Sequence, residues 1–112
     1  MKKAGIIRCQ RTEAMCPATS CLKVAREGKG MFKDVGPVEL VGFLTCGGCA
    51  GKEILPRVLK MIEKGAEIIA LSSCIVGNKP GGKYYPCPFL PQIKEMLEKE
   101  VGNKITIIYG TH

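Results

Sequence analysis

The chain has 112 residues, of which 46% are hydrophobic and 24% charged, and it carries a formal net charge of +7. This length fits a single domain, residues 1–112, whose core a metal or a covalent link would help to stabilise. The first apolar run, residues 4–7, is too short for a secretory signal or a membrane span, so we expect a cytoplasmic protein without a membrane partner. Lysines are spread along the whole chain and aromatic residues make up 5%, which disfavours a nucleic-acid partner.

Near-continuous apolar runs predict four strands, at residues 4–9, 38–44, 67–71 and 104–109. Helical patterns lie between the runs, at residues 17–29, 53–64 and 89–101. Pro56 is compatible with the second helix because it falls in the first turn. A loop rich in glycine and proline is predicted at residues 76–88.

Strands that alternate with helices indicate parallel βαβ units, because each parallel connection must cross back over the sheet. The strands are apolar on both faces, as expected when helices cover both sides of a sheet. We therefore predict an α/β fold with three layers, α/β/α, and a four-stranded parallel sheet of flavodoxin-like order 2-1-3-4 or of Rossmann-like order.

The cysteines fall at informative places in that fold. There are seven of them and a single histidine, and in a reducing compartment such thiols are typically ligands or redox groups. Cys9, Cys46, Cys74 and His112 each follow one of the four predicted strands, and the carboxyl ends of parallel strands share one edge. The other cysteines are Cys49, Cys16 and Cys87 in loops that leave this edge, and Cys21 on the first predicted helix. Buried core cysteines are the plain alternative, and Cys21 fits that alternative as well as it fits a ligand.

The stretch Cys46-Gly-Gly-Cys49 has two interpretations. Its glycines permit a tight turn, and the helix start that follows favours thiolates, which suits a metal site and equally a redox dithiol. A thiol–disulfide oxidoreductase that uses Cys46 and Cys49 is therefore the alternative function. Metal binding is preferred because a two-cysteine catalyst needs none of the other thiols. In a metal site, Lys52, Lys79 or Lys83 would offset part of the thiolate charge.

The chain resembles the CGGC-domain family along essentially its whole length. The resemblance is carried by Cys9, Cys16, Cys21, the block V-G-F-L-T-C-G-G-C that ends at Cys49, L-S-S-C74, C87-P88 and the closing G-T-H112. It implies a metal-binding domain, with zinc suggested by the cysteine and histidine residues. The resemblance supplies neither a reaction nor a substrate, so the sequence leaves open whether the protein is an enzyme.

Zinc is the metal expected first, because tetrahedral sites of four cysteines, or of three cysteines and a histidine, are typical of it. By position, the preferred ligands are Cys9, Cys46, Cys49 and Cys74, with Cys87 or His112 as substitutes. Eight candidate residues exceed one site, so a second metal, an iron–sulfur cluster or a neighbouring redox pair stays open. The sequence leaves a protein partner unknown.

Overall fold

The computed structural model describes residues 1–77 and 86–112. Its strands are β1 Lys2–Arg8, β2 Val38–Thr45, β3 Ile68–Leu71 and β4 Thr106–Tyr109. Its α-helices are α1 Thr19–Glu27, α2 Ile54–Glu63, α3 Ser73–Val76 and α4 Leu90–Val101. Two single-turn 3-10 helices, Gln10–Thr12 and Gly30–Phe32, lie in the connections.

The four strands form one parallel sheet in the order β2-β1-β3-β4, which confirms the predicted order 2-1-3-4. The first strand of the chain, β1, is thus an inner strand, with β2 on one side and β3 on the other. In register, Ile7 lies opposite Leu44 of β2 and Leu71 of β3. These three strands therefore end side by side, and this brings together the segments that follow β1, β2 and β3.

Helices cover both faces of the sheet, as the α/β/α prediction requires. On one face Ile7, Ile69 and Leu71 pack against apolar residues of α2 and α4. On the other face Ala4, Ile6 and Ala70 pack against α1 and Phe32. Alternate residues of β1 belong to the two clusters because successive side chains of a strand point to opposite faces.

The structure adds one helix to the predicted elements. Residues 73–76 form α3 directly after β3, where the sequence predicted the end of a strand and the start of a loop. Most of the predicted loop at 76–88, together with Lys79 and Lys83, lies outside the described residues. Within the described ranges, no helix combines the length and the apolar character needed to cross a bilayer.

Candidate functional site

The eight candidate residues fall into two groups at the carboxyl edge of the sheet. The first group is made of Cys9, Cys46, Cys49 and Cys87, which line one small cavity. The second group is made of Cys16, Cys21, Cys74 and His112, which line another. The sequence-based choice of Cys9, Cys46, Cys49 and Cys74 thus takes three residues from the first group and one from the second.

The first cavity has a volume of about 20 Å³ and an apolar floor formed by Ile75, Phe89 and Ile93. Backbone hydrogen bonds position its thiols. The amide of Cys46 donates to the carbonyl oxygen of Arg8 at 2.7 Å, which extends the β1–β2 pairing past the strand ends. The amide of Cys87 donates to the carbonyl oxygen of Ile75, also at 2.7 Å, and this bond ties the segment before α4 to α3.

An open depression of about 330 Å³ borders the same thiols. It is lined by Cys9, Gln10, Arg11, Cys46, Gly48 and Cys49. Cys49 is exposed, whereas the other three thiols of the first group are partly buried. Cys49 is therefore the member of the group that solvent reaches most easily.

The two glycines between Cys46 and Cys49 are required by the backbone. Gly47 and Gly48 have φ values of +80° and +106°, a region that side chains other than glycine rarely adopt. A Cβ atom on Gly47 would also lie 2.7 Å from Cβ of Glu53. The turn is held from α2 by Arg57, whose Nη1 donates to the carbonyl oxygen of Thr45 at 3.0 Å and to its Oγ1 at 3.1 Å.

The second cavity, of about 10 Å³, lies towards α1. Besides its three cysteines and His112 it is lined by Arg8, Thr12 and Ala18. Arg8 is only 9% exposed, its Nη1 donates to the carbonyl oxygen of Cys16 at 2.8 Å, and its guanidinium lies over the ring of Phe43. A buried cation therefore belongs to this cavity, and this makes it a poorer place for a metal cation than the first cavity.

Cys74 lies where the two groups meet. Its Sγ accepts a hydrogen bond from the amide of Cys9 at 3.2 Å and one from Oγ1 of Thr12 at 3.6 Å. The Oγ of Ser72 is 2.7 Å from the same sulfur. The sulfur of Cys46 accepts one bond, from the amide of Gln10 at 3.4 Å. Cys74 is thus the thiol with the fullest set of hydrogen-bonding partners.

Burial raises the pKa of the Cys9 thiol above its ordinary value, although the amide of Arg11 opposes this rise. Negative charge on Cys46 and on Cys74 raises the pKa of Cys9 further, because a like charge nearby disfavours its thiolate. Burial likewise raises the pKa of Cys21, whose sulfur is 3.1 Å from Oγ1 of Thr111. A cation bound among the first group would reverse the penalty on Cys9, because metal coordination favours the thiolate.

The segment that carries His112 is held firmly at the edge. Ser73 Oγ accepts hydrogen bonds from the amides of Thr111 and His112, both at 3.2 Å, and donates to the carbonyl oxygen of His112 at 3.0 Å. Thr111 is fully buried. His112 is therefore placed beside the second cavity by the fold rather than left as a frayed end.

Sequence reasoning missed the groups that surround the thiols. Arg8, Thr12, Ser72 and Arg57 were not singled out, because a lone arginine, serine or threonine in a sequence carries no spacing signal. Ser72 is the first serine of L-S-S-C74, and its place two residues before Cys74 is the one hint that the sequence offers.

The side chains are not arranged as a preformed metal site. In residues 1–77 and 86–112, no three cysteine, histidine, aspartate or glutamate side chains have the spacing that a metal ion requires. The chemistry of the first group nevertheless suits a soft metal, since thiolates are preferred ligands of zinc and of iron–sulfur clusters. The donor types fit, and binding requires the sulfur atoms to approach one another.

Comparison with known proteins gives a family and no activity. The model of the CGGC domain matches residues 3–112. An uncharacterized protein of Methanocaldococcus jannaschii is 36% identical over 118 aligned residues, which cover 98% of this chain and 86% of that protein. A second uncharacterized protein of the same organism is 34% identical over 65 residues, which cover 57% of this chain and 89% of that protein. No solved structure matches the chain. On the extent of these matches, the chain belongs to the CGGC-domain family.

Proposed function

We propose that this protein binds one soft metal ion, zinc in the first instance, through the thiols of Cys9, Cys46, Cys49 and Cys87. The observation that carries the proposal is that these four thiols, drawn from three separate segments of the chain, line a single cavity. The cavity volume of about 20 Å³ is close to that of one water-sized sphere, so it suits an ion better than a molecule. Four thiolates around such a space are the ligand set of a closed zinc site.

Cys87 replaces Cys74 as the fourth ligand in this proposal. Cys87 lines the same cavity as Cys9, Cys46 and Cys49, whereas Cys74 lines the cavity that also holds Arg8. A guanidinium group near a metal cation opposes binding through charge repulsion. We therefore assign Cys74 to a separate role.

The surrounding protein supplies orientation. Arg57 and the two glycines fix the turn that presents Cys46 and Cys49, and the hydrogen bond from Cys87 to Ile75 fixes the approach from α4. The apolar floor excludes water from one side of the thiols, and this strengthens their attraction to a cation. A reducing cytoplasm, in which thiols persist, is the compartment that the proposal assumes.

Elemental analysis and an absorption spectrum test the proposal, on protein purified without oxygen and without an affinity tag. One zinc per chain and a colourless solution are expected. Iron with sulfide and visible absorption bands would replace zinc by an iron–sulfur cluster on the same thiols. Absence of any bound metal after incubation with zinc or iron would contradict the proposal.

The double variant Cys46→Ser, Cys49→Ser tests the ligands. We expect it to lose zinc, because serine is a much poorer zinc ligand than cysteine and half of the proposed shell is removed. Cys16→Ser is the matched control, since Cys16 is also partly buried but lines the other cavity. Full zinc occupancy in the double variant would defeat the assignment. The fourth ligand is decided by comparing the zinc content of Cys87→Ser, which should lose zinc, with that of Cys74→Ser, which should retain it.

A thiol–disulfide oxidoreductase remains the second candidate because Cys46 and Cys49 border the open depression of about 330 Å³, which has room for a small substrate. The oxidoreductase function needs only two thiols, and so it does not require three ligands at metal-binding spacing, which the described residues lack. This function predicts disulfide reductase activity that survives a chelator and is lost in Cys49→Ser.

A further inference from the structure

Cys74 has an environment that metal binding by the first group does not explain. Its sulfur is surrounded by the amide of Cys9, the hydroxyl of Thr12 and the hydroxyl of Ser72, at 3.2, 3.6 and 2.7 Å. The buried guanidinium of Arg8 lines the same cavity. These contacts hold the Cys74 sulfur in place beside the backbone of Cys9 and apart from the cavity of the first group.

The fold also places a second thiol within reach of Cys74. Strands β1 and β3 pair in parallel with Ile7 opposite Leu71, and the amide of Ser72 donates to the carbonyl oxygen of Ile7 at 2.9 Å. The segments that follow β1 and β3 continue side by side beyond that point, so that the Cys74 sulfur lies 3.2 Å from the backbone nitrogen of Cys9. A sulfur this close to the backbone of Cys9 is within reach of its Sγ after side-chain rotation.

We propose that Cys74 is a peroxide-sensitive thiol that forms a reversible disulfide with Cys9, and that this bond removes Cys9 from the metal site. The second half rests on the proposed function, because release of metal requires that metal be bound. Among the hydrogen bonds of the described residues, the one that joins the first group to Cys74 comes from the backbone amide of Cys9, so Cys9 links the two groups.

The chemistry balances with a peroxide as oxidant. The Cys74 thiolate attacks one oxygen of hydrogen peroxide, the O–O bond breaks, and the products are a sulfenic acid and hydroxide. The thiol of Cys9 then attacks the sulfenic sulfur, the S–O bond breaks, and the S–S bond forms with loss of water. Two electrons pass from the two sulfurs to the peroxide, and two equivalents of a small thiol return them by disulfide exchange.

The first test maps disulfides in the metal-free protein after treatment with hydrogen peroxide and trypsin, with free thiols blocked before digestion. Cleavage after Arg8 and Arg11 leaves Cys9 in the peptide 9–11, and Cys74 lies in the peptide 65–83 because the Lys79–Pro80 bond resists trypsin. Cys46 and Cys49 stay together in the peptide 34–52, and Cys16 and Cys21 stay together in the peptide 12–23. We expect a linked peptide of 9–11 with 65–83 that dithiothreitol removes. Oxidation that leaves these two peptides unlinked would overturn the inference.

The second test measures zinc release from the zinc-loaded protein with a colorimetric chelator during peroxide treatment. We expect release from Cys74→Ser to be at least fivefold slower than from the wild type, while Cys16→Ser releases zinc at the wild-type rate. Cys74→Ala is the second variant, in case the serine hydroxyl disturbs folding. Equal release rates from wild type and both Cys74 variants would overturn the inference.

The two tests separate failure of the inference from failure of the proposed function. If the protein binds no zinc or iron, the proposed function fails and the release step fails with it, while the peptide map still decides whether Cys9 and Cys74 form a disulfide. If zinc binds but the linked peptide does not form, the proposed function stands and the inference fails.

Discussion

Cys21 and Cys49 show how different the surroundings of two cysteines in this protein are. Cys21 is 6% exposed on the inner face of α1 and belongs to the core cluster with Ala25 and Phe32. Cys49 is exposed at the end of the Cys-Gly-Gly-Cys turn. The core alternative that the sequence allowed for Cys21 is therefore consistent with its surroundings, although its sulfur also borders the second cavity.

The difference predicts the order in which the thiols react. In reduced, metal-free protein at pH 8, we expect iodoacetamide to modify Cys49 at least about tenfold faster than Cys21, because burial shields Cys21 and raises its pKa. Tandem mass spectrometry of peptides 34–52 and 12–23 locates the modification within each peptide and so separates Cys49 from Cys46 and Cys21 from Cys16. Urea-unfolded protein is the control, in which the rates should converge. Equal rates in the native protein would contradict the described burial.

At the scale of elements, the contact between α2 and the sheet depends on two glycines. Met61 of α2 lies over Gly5 of β1 and Gly42 of β2. A Cβ atom on Gly5 would overlap Sδ of Met61, and one on Gly42 would lie 3.1 Å from Cγ of Met61. The absent side chains let α2 approach the strands, and this approach carries Arg57 to the end of β2.

Gly5→Ala should therefore destabilise the protein by about 1–3 kcal/mol, because the added methyl overpacks the site of Met61. Urea unfolding measures the change in the free energy of unfolding. Met61→Ala alone should also be destabilising, by roughly 2–5 kcal/mol, because it empties a core position. The double variant should lose less than the sum of the two single changes, since the smaller side chain makes room for the methyl. Strict additivity would show that Met61 and Gly5 do not share this contact.

At the scale of the whole molecule, much of the architecture followed from simple patterns. Apolar runs and helical stripes gave all four strands and α1, α2 and α4, and their alternation gave the parallel order. Helix α3, residues 73–76, was not predicted because one helical turn is too short to produce a recognisable period. The same holds for the 3-10 turns at residues 10–12 and 30–32.

The sequence predicted where in the fold the cysteines lie, but it did not predict their division into two groups. Strand ends correctly indicated the edge at which the cysteines gather. The sequence could not show that Cys74 would begin a helical turn instead of continuing an extended chain, and this turn places it with Cys16 and Cys21. Likewise, Cys87 is brought to the first cavity by its hydrogen bond to Ile75, a contact between segments that no local pattern reveals.

Metal binding at the first group should stabilise the entire domain, because the proposed ligands join the ends of β1 and β2 to the segment before α4. Free zinc at about a hundred times its dissociation constant adds roughly 2.7 kcal/mol to the free energy of unfolding. For a domain of this size, that gain raises the melting temperature by about 10–20 °C. Thermal denaturation followed by circular dichroism, with and without zinc, measures the shift. The variant Cys46→Ser, Cys49→Ser should show little shift, and an equal shift in both proteins would place zinc elsewhere.

The strand order also sets a sequence of events during synthesis on the ribosome. β1 emerges first but is an inner strand, so it waits for β2 and then β3 before both of its edges are paired. When Cys46 and Cys49 emerge, Cys87 has not yet been translated, and a nascent chain that ends before Cys87 holds an incomplete set of the proposed ligands. Under the proposed function, full metal loading therefore waits until Cys87 has been translated, which is after β1, β2 and β3 but before α4 and β4.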